Sequence, residues 1–326
     1  MHDTTRPPGP GATGAPQPDA LGPLRRAQTP ELDVAFHELG PAGGPAVLLL
    51  HGYPYSVSSY VEVAPRLAAH GLRVIVPHLR GHGPTRFRDD STPRSGQQAA
   101  LATDAVDLLD ALGIDSAVLA GYDWGGRAAC VAAALQPERV RGIVSVNGYL
   151  IQDIAASGNP LPPRLEAGFW YFFYFLTERG RAGLTADPRG VAEVIWRRNS
   201  PEWAFTDAEL DAAAAAFDNP DYVEVVLHSY RHRLGAAPGA PAYVAAESVL
   251  ATLPPIPVPA VTLDGMADGN FPATDGSAQA VRFTGPREHR QVPHAGHNLP
   301  REAPDAFVAA VLRVEELAPP EAVWAP

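Results

Sequence analysis

Gly121-Tyr122-Asp123-Trp124-Gly125-Gly126 is the stretch on which the reading of this chain turns. An apolar run, Ser116-Ala117-Val118-Leu119-Ala120, leads into it, and a helix-forming run over 127–136 leads out. Strand, tight turn and helix in that order, with a reactive side chain at the tip and a glycine two residues to either side, form a nucleophile elbow. The glycines belong there because the turn is strained and crowded and leaves no room for a Cβ beside the nucleophile. The tip residue here is Asp123. A carboxylate in that position attacks saturated carbon and leaves an ester joining enzyme and substrate. An N-cap aspartate would explain Asp123 alone, but not the glycines around it.

Outward from the elbow, short apolar runs alternate with longer helical segments. Residues 32–39, 46–50, 72–77, 116–120, 140–146, 258–263 and 290–293 read as strands, and 58–70, 97–112 and 304–317 as helices. Short Val/Leu/Ile runs separated by helices predict an α/β protein with a mostly parallel, doubly wound sheet. Residues 149–252 break this rhythm. They hold no strand pattern, three tryptophans (Trp170, Trp196, Trp203), the aromatic run 169–175 and an Ala-rich stretch at 212–216, and they read as a helical cap inserted between strands. The Pro-rich link 254–259 returns the chain to the sheet. The expected division is a Pro/Gly-rich tail over 1–30, a sheet-and-helix core over 31–148, a helical cap over 149–252 and core again over 253–326.

Composition narrows the chemistry. A chain of 326 residues with 46% hydrophobic content can bury a large core. The formal charge of −11, without basic clusters, argues against nucleic acid or an anionic membrane as partner, leaving a small molecule. All 25 cationic residues are arginine, so Schiff-base chemistry, a pyridoxal-phosphate anchor and a Walker A loop are excluded together. The single Cys130 rules out an internal disulfide, fits a reducing, cytoplasmic setting and reads as a packing residue. The tail lacks the apolar region of a signal peptide, and its G-x-G-x-x-G at Gly9, Gly11 and Gly14 lacks the strand and helix of a dinucleotide site. No apolar run reaches the 18 residues that would span a membrane, and no His/Cys/Asp/Glu cluster has metal-ligand spacing. Neither cofactor nor metal is expected, and a homodimer is left open.

In open α/β sheets, reactive groups gather at the carboxyl ends of strands. Asp268 follows the run Val261-Thr262-Leu263, with Asp264 and Asp275 as rivals in the same region. His297 stands in Pro293-His294-Ala295-Gly296-His297-Asn298, where His294 competes with it. The chain order is nucleophile, acid, histidine. His51-Gly52-Tyr53-Pro54 follows the strand at 46–50 directly, where a backbone N–H for an oxyanion should arise, and Arg80-Gly81-His82-Gly83 makes a Gly-rich turn after the next strand.

With these segments in view, the chain over roughly 31–318 resembles the epoxide hydrolase and haloalkane/haloacid dehalogenase branch of the α/β-hydrolases. The marks are His51-Gly52-x-Pro54, the Gly121-x-Asp123-Trp124-Gly125-Gly126 elbow and the late Gly296-His297. The resemblance implies Asp123 as nucleophile, His297 as general base, Asp268 as the group orienting it, and the N–H groups of Tyr53 and Trp124 as oxyanion donors. It also implies two cap tyrosines that protonate an opened epoxide. Tyr171, in Trp170-Tyr171-Phe172-Phe173-Tyr174-Phe175, and Tyr230, in His228-Ser229-Tyr230-Arg231, stand at the matching positions. Tyr174 replaces Tyr171 if that helix is rotated, and simple core packing is the competing reading for both. A haloalkane dehalogenase is disfavoured by Tyr53 after His-Gly. For a haloacid dehalogenase Arg127 suits one carboxylate-binding position, but Trp124 replaces the other, and pairing of Arg127 with a surface acid is the plainer expectation. The expected activity is hydrolysis of an epoxide in a largely apolar pocket; a dehalogenase, or a ligand-binding protein without turnover, is the alternative.

Overall fold

The computed structural model describes residues 18–318. Nine strands form one sheet: β1 (Leu24–Gln28), β2 (Leu32–Leu39), β3 (Ala46–Leu50), β4 (Arg73–Pro77), β5 (Arg86–Phe87), β6 (Ala117–Gly121), β7 (Val140–Val146), β8 (Ala260–Gly265) and β9 (Arg287–Val292). They lie in the order β1-β2-β4-β3-β6-β7-β8-β9, and the two-residue β5 pairs with β2. From β4 to β9 all neighbours are parallel, while β1 and β2 run antiparallel at one edge. Every residue of β3, β6 and β8 is buried. That is why these strands are continuous apolar runs rather than alternating ones.

Helices α1 (Val63–Ala69), α2 (Gln98–Ala111) and α3 (Asp123–Leu135) follow β3, β5 and β6, and α12 (Pro304–Leu317) closes the chain. α2 packs on α3, and α1 on α12. The α-helices between β7 and β8, with no strand among them, are α4 (Pro163–Gly168), α5 (Trp170–Phe175), α6 (Glu178–Ala186), α7 (Pro188–Asn199), α8 (Asp207–Ala214), α9 (Tyr222–Arg233) and α10 (Val244–Leu250). The remaining helix, α11 (Leu299–Glu302), is a single turn just before α12. Local chemistry sets the starts of the inserted helices. Thr177 accepts from the Gly180 N–H, Asp187 from the Gly190 N–H with Pro188 at the first helical position, and Thr206 forms a capping box with Glu209. The insert is tied to the sheet region by the Trp196 indole N–H on the Pro54 carbonyl at 2.9 Å and by the Asn219 amide on the Thr85 carbonyl at 2.6 Å.

The structure departs from the sequence reading at three places. The tail expected over 1–30 gives way to strand at Leu24–Gln28, which pairs with β2 from Leu24↔His37 to Gln28↔Asp33. Its sequence, Leu-Arg-Arg-Ala-Gln, is exposed on an edge and carries no apolar signal. The Gly9, Gly11, Gly14 motif lies outside the described residues. The helix expected over 58–70 divides into a 3-10 turn at Val57–Tyr60 and α1. β9 begins at Arg287, three residues before the expected start, because Arg-Glu-His-Arg-Gln is drawn into the sheet by pairing with β8.

Among the described residues no helix is long and apolar enough to cross a membrane, and no group of three His, Cys, Asp or Glu is placed to hold a metal ion.

Candidate active site

β3 and β6 are neighbours, with Leu50 opposite Gly121, although β4 precedes β6 in the chain. This is where the winding reverses, and the loops leaving the two strands open a crevice there. The loop after β6 is a single extended residue, Tyr122, before α3 begins at Asp123. Asp123 has φ 52°, a left-handed conformation rare for a residue with a side chain. Its neighbours make that possible. A Cβ on Gly125 would lie 1.9 Å from the Leu50 carbonyl oxygen, and one on Gly52 would lie 2.5 Å from the Asp123 Cβ. The elbow packs backbone against backbone, and glycine is required by contact as well as by strain.

The three groups that the sequence separates by 145 and 29 positions meet here. His297 Nδ1 lies 2.8 Å from Asp268 Oδ2, and His297 Nε2 lies 3.7 Å from Asp123 Oδ2. The Asp268 carboxylate is wholly buried; its Oδ1 accepts the N–H groups of Asn270 at 2.9 Å and Phe271 at 2.8 Å. The rivals are engaged elsewhere. Asp264 accepts from Thr274, Asp275 from Ser277, and the exposed His294 pairs with Glu202.

Burial alone would depress the His297 imidazolium, but Asp268 and Asp123 outweigh it and push the pKa up to about 10. Burial would likewise raise Asp123, yet His297, the Tyr53 N–H and Arg233 hold its carboxyl below the usual range. At neutral pH the pair is therefore carboxylate and imidazolium. The Tyr53 N–H donates to Asp123 Oδ1 at 2.8 Å, and Trp124 follows the aspartate directly.

Tyr171 of α5 and Tyr230 of α9 are buried with ring centroids 5.3 Å apart, and both pack against Tyr53, at 6.3 and 5.3 Å. Burial keeps both phenols protonated well past the usual tyrosine range, reinforced at Tyr171 by the Asp123 charge and at Tyr230 by Tyr171 and then Asp123. Tyr174 turns the other way, its hydroxyl against Gly183 of α6. Arg127 does not meet the surface acid expected for it: its hydrogen bond goes to Gln152 Oε1 at 3.5 Å, and its Nε is buried without a partner.

Several contributors had no signal in the sequence. The His297 N–H donates to Ser200 Oγ at 3.0 Å, and Ser200 donates to Glu302 at 2.6 Å. Glu302 also accepts the N–H groups of Gly296 and Asn298, so it clamps the histidine loop from both sides. Phe271 stacks on His297 at 5.6 Å and 14°. Ser200 comes from the end of α7 and lies 97 residues from His297, a pairing that no spacing rule announces.

A profile of the α/β-hydrolase fold family matches residues 45–304. The chain belongs to that family. This α/β-hydrolase is similar to a candidate epoxide hydrolase from Klebsiella pneumoniae subsp. pneumoniae, whose crystal structure it matches at 47% identity. The match covers 92% of this chain and 99% of that one, with a TM-score of 0.89. Epoxide hydrolase 2 of Siraitia grosvenorii is 36% identical over 121 residues, which is 36% of this chain and 37% of that protein. Epoxide hydrolase B of Mycobacterium tuberculosis is 32% identical over 150 residues, 42% of this chain and 41% of its own. The matches span less than half the length of these curated relatives. By sequence and by structure, the likeness lies with epoxide hydrolases.

Proposed function

We propose that this α/β-hydrolase opens an epoxide to a diol through an ester on Asp123. The observation that carries the reading is the line of groups from Asp268 through His297 to Asp123, with the hydroxyl-bearing Tyr171 and Tyr230 packed on Tyr53, whose N–H donates to Asp123. The ionised Asp123 attacks one oxirane carbon while the C–O bond to the ring oxygen breaks. A tyrosine hydroxyl passes its proton to that oxygen. The phenols are held protonated until then. The His297 imidazolium returns a proton to the tyrosinate, directly or through water. Esterification has removed the Asp123 charge, so one of the two anions that supported the imidazolium is gone and His297 becomes a base. It takes a proton from water, which adds to the ester carbonyl. The oxyanion forms beside the Tyr53 and Trp124 N–H groups. Collapse expels the diol oxygen, which takes the carboxyl proton, and Asp123 carboxylate and His297 imidazolium are restored.

The helical segment over 149–252 is proposed to serve as the cap that carries the proton donors. One feature favours the dehalogenase alternative: the Trp124 indole N–H is buried without a partner, a donor that a departing halide would use.

The test is the intact mass of His297→Gln after exposure to a panel of epoxides and organohalides. The variant should accumulate the Asp123 ester, with a gain equal to a whole epoxide. A gain equal to an organohalide less hydrogen halide would replace this reading with dehalogenation, and no adduct across the panel would sink the covalent route.

A further inference from the structure

Away from the reacting groups, a cavity of about 430 Å³ opens where three parts of the chain that are distant in sequence meet. Its apolar wall is made by Leu21 and Leu24 of the N-terminal segment, Val57 and Val61 after β3, and Ala212 and Ala215 of α8 and the turn that follows it. None of Asp123, Asp268, His297, Tyr171 and Tyr230 lines it. Its volume lies within the roughly 300–1,000 Å³ of small-molecule sites, and no Arg, Asp or Glu is among the described residues that line it. The polar side of the wall comes from the sheet. His37 of β2 pairs with Val76 of β4, and His78 stands two residues further along the same face. Both imidazoles line the cavity, with ring centroids 5.9 Å apart.

Each ring has an unmet nitrogen. His37 Nδ1 lies 3.0 Å from the Gly22 carbonyl, which can only accept. The proton is therefore on Nδ1, and Nε2 is an acceptor without a donor among the described residues. His78 is only 8% exposed, and neither of its ring nitrogens meets a hydrogen-bond partner among the described residues. Its Nδ1 lies against Gly83, where a Cβ would come within 2.3 Å, so Nε2 is the edge left to a ligand. Burial keeps both rings neutral. It lowers His37 against the pull of the Gly22 carbonyl, and with His37 and His82 nearby it pushes His78 down to about 3. The serine hydroxyls of the same wall, Ser56 and Ser58, are bonded to each other at 2.9 Å. A buried nitrogen without a partner is costly, and two of them on one apolar cavity ask for a group that both donates and accepts. A hydroxyl does so. A carboxylate would leave water for neutral rings with no cation to receive it, and an ether has no hydrogen for His37 Nε2. We propose that this cavity is a second ligand site, which binds a neutral aliphatic alcohol with its chain along the Leu, Val and Ala wall and its hydroxyl between His37 and His78. The occupant touches the N-terminal segment, the sheet and α8 together, and so fastens the inserted helices to the core.

The test is binding, which needs no turnover and does not depend on the epoxide reading. Calorimetric titration of the full-length protein compares 1-octanol with its isosteric ether, 1-methoxyheptane, and with octanoate. The alcohol should bind with a Kd about three- to ten-fold below that of the ether, the worth of one hydrogen bond. Octanoate should bind at least about ten-fold more weakly than the alcohol, since its charge would be buried unpaired. His37→Phe removes the acceptor and should bring alcohol and ether to near equality. Ala212 is an exposed position on the wall, so a larger side chain there fills the cavity without disturbing the core. Ala212→Trp should therefore raise the Kd for the alcohol at least about ten-fold. Equal binding of alcohol and ether by the native protein overturns the proposal, as does tighter binding of octanoate. Undiminished binding to Ala212→Trp would put the alcohol elsewhere, the catalytic cleft included, and overturn it too. The native comparison and His37→Phe suffice if Ala212→Trp does not fold.

Discussion

At the scale of single residues, His297 carries the sharpest consequence. Its folded-state pKa of about 10 stands above the ordinary value of 6.5, so the native state holds a proton that the unfolded chain releases between those limits. The stability this contributes is complete below pH 6.5 and is lost as pH rises toward 10. The slope is at most about 1.4 kcal/mol per pH unit. Asp123 has the opposite sign: its lowered pKa contributes stability above the ordinary carboxylate value and loses it in acid. Chemical denaturation at stepped pH should show native stability declining from pH 6.5 to 10, with the decline largely absent in His297→Gln; an unchanged slope would place the imidazolium elsewhere. Asp123→Asn keeps the shape of the elbow but removes the attacking charge. Its kcat should fall by about 10⁴-fold, in the range seen when a nucleophile or base is removed from a triad, with the fold intact by circular dichroism.

Among the elements, the junction of β3, β6 and α3 has the least tolerance. A methyl group on Gly125 meets the Leu50 carbonyl at 1.9 Å, and neither strand nor helix can retreat without disturbing the other. Gly125→Ala should cost about 3 kcal/mol by urea denaturation, whereas Gly113→Ala, with open space at its Cβ but a φ of +64°, should cost only its backbone strain, about 1 kcal/mol. The end of α7 tests a different link. Ser200→Ala removes the hydroxyl between the His297 N–H and Glu302, leaving a buried carboxylate short of a donor, at about 1–3 kcal/mol. Because Ser200 holds the loop and not the substrate, kcat should fall with KM little changed. The orientation of α5 belongs to this scale too. Either Tyr171 or Tyr174 satisfied the sequence, and packing of the aromatic run against Tyr53 and α6 put Tyr171 over the site.

Across the whole molecule, one buried arginine joins parts that are distant in sequence. Arg80, fully buried in the turn after β4, forks onto Asp104 of α2 at 2.6 and 2.7 Å. It also donates to the Ser95 carbonyl, Glu31 and the Tyr243 hydroxyl, the last from just before α10. Arg80→Met should destabilise the protein by about 3–5 kcal/mol, because Asp104 would be left charged and buried; a loss under 1 kcal/mol would mean that water reaches Asp104. The turn itself was legible as a Gly-rich segment beside the site. Its role as a fastening between sheet, helix and returning insert was not, since Asp104 and Tyr243 lie 24 and 163 residues away.

The sequence by itself determined the class of fold, the elbow and the helical character of the insert, because each of these is written in local terms. Apolar runs specify buried strands, paired glycines specify a turn without room for a Cβ, and an aromatic and Ala-rich stretch without strand pattern specifies the helical insert. It also narrowed the candidate site to Asp123, His297 and a short choice of acids. Tertiary structure decided what spacing does not encode. It brought Asp268 rather than Asp264 to the histidine, turned Tyr171 inward, recruited Ser200 and Glu302, drew a polar segment into β1, and set His37 and His78 on the wall of one cavity. Each of those outcomes depends on which surfaces meet when separate elements pack, and the energy of such a contact resides in both partners at once.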